Sequence, residues 1–188
     1  MLYLLGGAPR TGKSILARRL VVEKRIPYFG IDALTTVLQE SLPDLGIKHG
    51  QPFIFKAEKI WPILKSLLIH FIEEEPDYLA EGDALLPKHV AELEKKYKNE
   101  IGVCFTGFTK ISPEDKLKEI RQFSDFKDDW TKERSDKEML MDIKSMIEFS
   151  KYLKEECKKF DIKYFEISDN FQKNLDIVFN YLALNQLK

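Results

Sequence analysis

A short segment near the start of the chain combines glycines, a lysine and a hydroxyl at fixed spacing. It matches the pattern G-x-x-x-x-G-K-[ST] in full. Glycines at this spacing let the backbone bend so that successive N–H groups point at phosphate oxygens, and the lysine adds positive charge for the β- and γ-phosphates. The serine hydroxyl can coordinate Mg²⁺. We predict that ATP and Mg²⁺ bind at Gly7, Ala8, Pro9, Arg10, Thr11, Gly12, Lys13 and Ser14.

The residues on either side of this segment support the same interpretation. The apolar run at residues 2–5 is typical of a buried strand, and residues 13–24 carry apolar side chains at helical spacing. The motif requires a strand before it and a helix after it. The positive end of that helix would add to the anion site, and Lys13 would take part in the chemistry as well as in binding.

Asp32 directly follows a second strand pattern at residues 27–31. Strands of an open α/β sheet present their carboxyl ends to the ligand crevice, so a carboxylate here should lie near the bound phosphates. It could orient and deprotonate an attacking hydroxyl, and we predict that Asp32 is the general base of a phosphoryl transfer. The alternative is that Asp32 only caps the helix that follows, where aspartate is favoured.

Acidic residues also close the third strand pattern, at residues 78–80. Glu81 and Asp83 are predicted, together with Ser14, as candidates for holding Mg²⁺. One of the two acids could hold the ion through a water molecule or could instead pair with Lys13. The alternative is that both are turn residues facing solvent. Glu81 is also the second candidate for the general base.

Apolar periodicity fails between residues 123 and 136, where charged residues dominate. We predict that this segment is a lid. An arginine in or beside a lid could neutralise charge on the transferred phosphoryl group, and the candidates are Arg121 and Arg134. The alternative is that these basic residues only keep a surface loop soluble.

The remaining pattern alternates strands and helices along the chain. Further strand patterns lie at residues 101–108 and 163–167, and such alternation predicts a parallel sheet with helices on both faces. Residues 43–76 contain a long amphipathic helix and are predicted to be a helical insertion on the substrate side. The length and the absence of a long linker predict a single domain over residues 1–188.

The phosphate loop, Asp32 after the second strand and the segment at residues 81–87 resemble the small P-loop kinases, the group of nucleotide, shikimate and gluconate kinases. They look most similar to the 2-phosphoglycerate-kinase-like branch. The resemblance implies a three-layer α/β/α fold with strand order 2-3-1-4-5 and a lid that closes over ATP. It also implies an ATP-dependent phosphotransferase that acts on a hydroxyl or phosphate of a small molecule.

The composition of the chain limits the kinds of binding partner that we expect for it. The chain has 30 basic and 31 acidic residues and a formal net charge of −1, which argues against broad contact with nucleic acid or an anionic membrane. Two cysteines are too few for a disulfide framework or a zinc cluster. The start of the chain does not read as a signal peptide and no apolar run would span a bilayer, so we expect a cytoplasmic protein with a small-molecule acceptor.

Two other functions stay open at this point. One is a nucleotide-binding switch or ATPase that has no acceptor. The other is a polynucleotide 5′-hydroxyl kinase, which the near-zero net charge disfavours because a nucleic-acid track normally shows a basic stripe. An N-K-x-D guanine-reading signature is missing, which counts against a GTPase. The sequence identifies neither the acceptor nor the oligomeric state.

Overall fold

The computed structural model describes residues 1–122 and 130–184. Its five strands form one sheet in the order β2-β3-β1-β4-β5, and each neighbouring pair is parallel. This confirms the predicted α/β fold and its strand order. The strands are β1 (Leu2–Gly7), β2 (Tyr28–Gly30), β3 (Tyr78–Gly82), β4 (Ile101–Gly107) and β5 (Tyr164–Glu166).

Seven α-helices within the described residues connect and cover these strands. They are α1 (Lys13–Lys24), α2 (Ile31–Ser41), α3 (Phe53–Glu74), α4 (Pro87–Tyr97), α5 (Pro113–Gln122), α6 (Asp136–Lys159) and α7 (Phe171–Leu184). Short 3-10 turns lie at Pro43–Leu45 and Trp130–Glu133. No helix within the two described ranges is long and apolar enough to cross a membrane.

The helices pack on the sheet in two layers, because side chains alternate between its faces along each strand. Tyr3 and Leu5 of β1 face a cluster formed with α1 and α7. Leu2 and Leu4 face the opposite way, into a larger cluster that includes residues of α2, α3, α4, α5 and α6. The central strand is thus buried on both sides, and its carboxyl end is the natural position for a site.

One helix start differs from the sequence prediction. Helix α2 begins at Ile31 with Gly30 as its N-cap, so Asp32 lies in its first turn and the alternative that Asp32 caps this helix is wrong. Helix α7 begins only at Phe171. The Ser168 hydroxyl, three residues earlier, donates to the Glu166 carboxylate at 2.6 Å.

Helix α3 makes up most of the region at residues 43–76. It runs for 22 residues and keeps Pro62 in its interior. Ile60, Leu64 and Leu68 lie on its buried face, and Lys56 occupies the same face one turn earlier. The helix therefore brings a lysine towards the sheet, although its role as a substrate-side insertion stays a prediction.

Part of the predicted lid, residues 123–129, lies outside the described residues. The remainder consists of the 3-10 turn at Trp130–Glu133 and the start of α6. Ser135 caps α6 in a capping box, in which Glu138 accepts from the Ser135 backbone N–H at 2.9 Å. The lid itself stays a prediction.

Candidate active site

The segment at residues 7–14 joins β1 to α1 at the carboxyl end of the central strand. Gly7 and Gly12 have φ values of 148° and 81°, which favour glycine. A Cβ on Gly7 would lie 2.3 Å from the Thr106 carbonyl oxygen, so only glycine allows this approach to β4. Gly12 is the N-cap of α1 and no side chain caps this helix, which leaves its first-turn N–H groups able to bind an anion. The loop therefore fits nucleotide phosphates.

A buried hydroxyl network fixes the loop to β4. Thr106 Oγ1 donates to Thr11 Oγ1 at 2.8 Å, and Thr11 Oγ1 donates to the Ala8 carbonyl at 2.9 Å. The Ala8 N–H in turn donates to the Thr106 carbonyl at 3.1 Å. The sequence identified Thr106 only as part of a strand, because its partner is 95 positions away. The network holds the loop in one shape before any ligand contact, which favours binding.

Lys13 extends across the loop that it would serve. Its Nζ donates to the carbonyls of Gly7 and Ala8 at 3.0 and 2.8 Å. The ammonium group is largely buried, so its charge acts at close range in a region of reduced dielectric. Incoming phosphate oxygens would have to replace these carbonyls as its acceptors, and the role of Lys13 stays a prediction.

Ser14 and Glu81 meet at the start of α1. The Ser14 hydroxyl donates to Glu81 Oε1 at 3.1 Å. Burial is the main cause that raises the pKa of Glu81, and the nearby charge of Lys13 opposes it. Hydroxyl and carboxylate oxygens are ligands that Mg²⁺ prefers. Among the described residues no group of three histidine, cysteine or acidic side chains could hold a metal alone, so Mg²⁺ here would also need phosphate oxygens.

Asp32 lies at the same edge, since β2 ends at Gly30 beside Glu81 of β3. The Asp32 side chain keeps solvent-accessible surface, yet enough protein surrounds it that desolvation raises the pKa of its carboxyl. The charge of Asp83 adds to this rise in pKa, whereas Lys56, Lys13 and His49 oppose it. Asp32 is therefore open to a ligand, while its carboxyl has a greater affinity for a proton than an ordinary aspartate.

Asp83 forms a buried ion pair that the sequence did not predict. Its Oδ1 lies 2.7 Å from Lys56 Nζ, and the two side chains are only 9% and 5% exposed. The signal for Lys56 was its position one turn before Ile60 on the apolar face of a helix. Asp83 thus faces α3 while Glu81 faces Ser14, and its role as a metal ligand stays a prediction.

Arg10 of the phosphate loop and the two candidate lid arginines, Arg121 and Arg134, contact the 3-10 turn before α6 or α6 itself. Arg10 donates to Thr131 Oγ1 at 3.1 Å, and Arg121 donates to the carbonyls of Thr131 and Arg134 at 2.6 and 2.7 Å. The Arg134 guanidinium instead pairs with Asp142 at 2.8 Å. Arg121 and Arg134 would have to leave these partners to reach a transferred phosphoryl group, so their catalytic roles stay predictions.

Lys116 is a further buried cation beside the loop that sequence reasoning missed. It is 1% exposed, with Nζ 2.6 Å from Glu119 Oε1 and 4.4 Å from the centre of the Phe108 ring. Burial lowers the pKa of Lys116. The Phe171 ring lies 5.8 Å from the same ammonium and packs against Gly12. An aromatic and cationic wall therefore flanks the phosphate loop on the α5–α7 side.

Comparison with known proteins shows what this architecture is similar to. No protein-family model and no curated protein sequence matches the chain. Among solved structures, a gluconokinase from Sinorhizobium meliloti 1021 matches with a TM-score of 0.61 and 13% identity, over 97% of this chain and 91% of that one. The chain has the fold of the small P-loop kinases.

Two shikimate kinases give the same result. The enzyme from Bacteroides thetaiotaomicron matches with a TM-score of 0.60 and 13% identity over 97% of this chain and 98% of that one. The enzyme from Aquifex aeolicus vf5 matches with a TM-score of 0.54 and 20% identity over 100% of this chain and 99% of that one. The predicted likeness to small P-loop kinases is confirmed at the level of fold. The 2-phosphoglycerate-kinase-like branch stays a prediction.

Proposed function

We propose that this chain is an ATP-dependent phosphotransferase that moves the γ-phosphoryl group of ATP to a hydroxyl or phosphate of a small molecule. The observation that carries the proposal is the meeting of three groups at one edge of the sheet: the phosphate loop, the Ser14–Glu81 pair and Asp32. Phosphoryl transfer depends mainly on positioning and electrostatic stabilisation, which such a meeting supplies.

The phosphate side binds and orients ATP. The backbone N–H groups of residues 7–14 and the ammonium of Lys13 bind the phosphates, while Ser14 and Glu81 hold Mg²⁺ with the phosphate oxygens. A bound Mg²⁺ neutralises charge on the β- and γ-phosphates. Arg134 and Arg121 are the candidates for stabilising the transferred group once they exchange their present partners for it.

Asp32 accepts the proton of the acceptor hydroxyl as its oxygen attacks phosphorus. A raised carboxyl pKa increases proton affinity, which suits a base that works near neutral pH. Glu81 is the second candidate for this role, because burial raises the pKa of its carboxyl too. The near-zero net charge favours a small-molecule acceptor over a nucleic acid. We also propose that the protein is cytoplasmic.

The test is a screen of ATP consumption with Mg²⁺ against nucleosides, sugars, hydroxy acids and short oligonucleotides. Mass spectrometry of the products should show one class of acceptor gaining a phosphoryl group, and the Lys13→Ala variant should lose this activity. ATP hydrolysis that no acceptor raises would overturn the proposal in favour of a switch or ATPase. Phosphorylation of only the oligonucleotides would favour the polynucleotide kinase.

A further inference from the structure

A contribution to the stability of the fold does not readily explain the Lys56–Asp83 ion pair. It joins helix α3 to the residue after β3, with its two charged atoms 2.7 Å apart and both side chains almost fully buried. Removing two ions from water is costly, and apolar replacements of buried pairs are often neutral or stabilising. A pair at this position in a candidate site is therefore a candidate for function.

Both partners keep unused bonding capacity. Within the described residues, the Lys56 ammonium makes one side-chain hydrogen bond, to Asp83 Oδ1. A lysine ammonium carries three donors and an ionised aspartate has two acceptor oxygens. Further N–H groups of Lys56 and the second oxygen of Asp83 remain for a ligand, and both side chains keep a small exposed fraction.

The pair lies close to the candidate base, because Ile31, the residue before Asp32, packs against Gly82, the residue before Asp83. The charges of Asp83 and Lys56 both act on the Asp32 carboxyl, one raising and the other lowering its pKa. The two acidic residues at the end of β3 have different partners. Glu81 accepts from Ser14 at the phosphate loop, whereas Asp83 accepts from Lys56 of α3. A molecule whose hydroxyl reached Asp32 would therefore meet this pair with the atoms next to that hydroxyl.

We propose that Lys56 and Asp83 together bind a second hydroxyl of the acceptor, on the carbon next to the one that is phosphorylated. Lys56 donates to that oxygen, and Asp83 Oδ2 accepts its proton. This rests on the proposed phosphotransferase function and gives the acceptor a class: a polyhydroxylated molecule with hydroxyls on neighbouring carbons.

The chemistry of the pair selects a hydroxyl over an anion. A hydroxyl both donates and accepts, so it satisfies both partners while their ion pair stays intact. A carboxylate on the acceptor would have to displace Asp83 from Lys56 and would face the charges of Asp32, Asp83 and Glu81. Lys56 lies on helix α3 and Asp83 directly follows strand β3, so the fold holds both side chains in place. This favours precise orientation of a bound acceptor.

The experiment compares acceptors with and without the second hydroxyl. The matched probes are glycerol with 1,3-propanediol, ribose with 2-deoxyribose, and the best acceptor of the screen with its deoxy analogue. For the acceptor that is used, kcat/KM should fall by about 10²-fold or more when the hydroxyl is missing, because buried polar groups are then left unpaired. In the double variant Lys56→Met/Asp83→Leu, this ratio should fall to within a few-fold of unity.

The exposed ion pair between Lys65 of α3 and Glu92 of α4 provides the matched control. The variant Lys65→Met/Glu92→Leu should keep the full ratio. Thermal melting, the affinity for Mg-ATP and the Mg²⁺ concentration that gives half-maximal activity are measured for every variant. Should the double variant fail to fold, two single variants replace it: Asp83→Asn keeps the shape and removes the negative charge, and Lys56→Arg keeps the positive charge and changes the shape. Asp83→Asn should still reduce the ratio.

Several results would overturn the inference. One is a ratio that persists in the double variant. Another is an equal loss of kcat/KM for both probes together with a lower melting temperature, which would mean a structural role. A higher Mg²⁺ requirement on changing Asp83 would make it a metal ligand instead. If the unaltered protein phosphorylates no member of the panel, the proposed function fails first, and this is a distinct result.

Discussion

The proposed phosphate side and the proposed acceptor side of the candidate site are built by different means. The phosphate side consists of one continuous loop, shaped by glycine backbone angles and fixed to β4 by the hydroxyls of Thr11 and Thr106. The acceptor side is assembled from side chains of separate elements, with Asp32 on α2, Lys56 on α3 and Asp83 after β3. Backbone N–H groups suit the phosphates of any nucleotide, whereas paired side chains can discriminate between acceptors. Substitutions on the two sides should therefore affect different steps.

The largest expected effect is on turnover, from the acceptor side. Asp32→Asn removes the proton-accepting charge and keeps the size of the side chain, so turnover should fall by about 10²- to 10⁴-fold. Mg-ATP affinity, measured by calorimetry, should stay nearly unchanged because Asp32 does not belong to the phosphate loop. Full activity in this variant would transfer the role of base to Glu81.

The pH dependence of the same variant sharpens the result. Desolvation and the charge of Asp83 raise the pKa of Asp32, so the activity of the unaltered protein should fall as pH drops through that raised value and protonates the base. Asp32→Asn should lose this acid limb. A carboxyl with a raised pKa is destabilising when ionised, so the melting temperature of the variant at neutral pH should stay equal or rise. A marked fall in stability would indicate a structural role.

The next effect is on ATP binding, from the phosphate side. Lys13→Ala removes a charge-assisted contact with the phosphates, and such contacts correspond to about 10-fold to 10²-fold in affinity. Calorimetric titration with Mg-ATP should show this loss while the fold is kept. Lys24→Ala, at the exposed end of the same helix, serves as the control and should bind ATP normally. Unchanged ATP affinity in Lys13→Ala would reject the loop assignment.

The same contrast explains how much the sequence could predict. The phosphate loop is local, so the strand before it and the helix after it could be predicted from the motif and the residues on either side of it. Asp32 could be placed because it follows a strand, and a parallel sheet brings strand ends together. Other contacts depend on tertiary packing, and no spacing rule in the sequence connects their partners. Lys56 and Asp83 are 27 positions apart, and Thr11 and Thr106 are 95 positions apart. The arginine contacts with Thr131 were hidden for the same reason.

A smaller effect concerns the support of α3, which carries the acceptor side. His89 of α4 stacks on Trp61 of α3, with ring centres 4.3 Å apart, and burial lowers the pKa of His89 to about 4. Because the folded pKa lies below the ordinary value for histidine, the contribution of His89 to the free energy of unfolding is fully present at neutral pH. It is lost as pH falls below about 6.5, where the unfolded chain gains a proton that the folded chain does not.

Denaturant unfolding measures this loss. Between pH 7.5 and pH 5 the His89 contribution to the free energy of unfolding should shrink by about 2 kcal/mol, given the ordinary histidine pKa. His89→Gln removes the titrating group, so its stability should depend on pH less than that of the unaltered protein by this amount. Identical pH dependence in both proteins would mean that another group accounts for the acid sensitivity. Glu58 is the nearest alternative, since its carboxylate lies 3.7 Å from His89 Nε2.

The smallest expected effect tests whether the hydroxyl network stiffens the phosphate loop. Thr106→Val keeps the shape of the side chain and removes the donor to Thr11 Oγ1. A buried hydrogen bond of this kind contributes about 1 kcal/mol, so the free energy of unfolding should fall by about that much. Mg-ATP affinity should fall only a few-fold, because the backbone N–H groups that meet the phosphates remain.

The acceptor side provides the comparison for this variant. Thr106 lies on β4, so its loss should leave the KM for the acceptor unchanged, in contrast to substitution of Asp32 or Lys56. Steady-state kinetics with each substrate varied in turn would separate the two effects. An equal rise in both KM values would mean that the two sides of the site are mechanically coupled through the sheet. A change confined to ATP would support the division between a backbone-built phosphate side and a side-chain-built acceptor side.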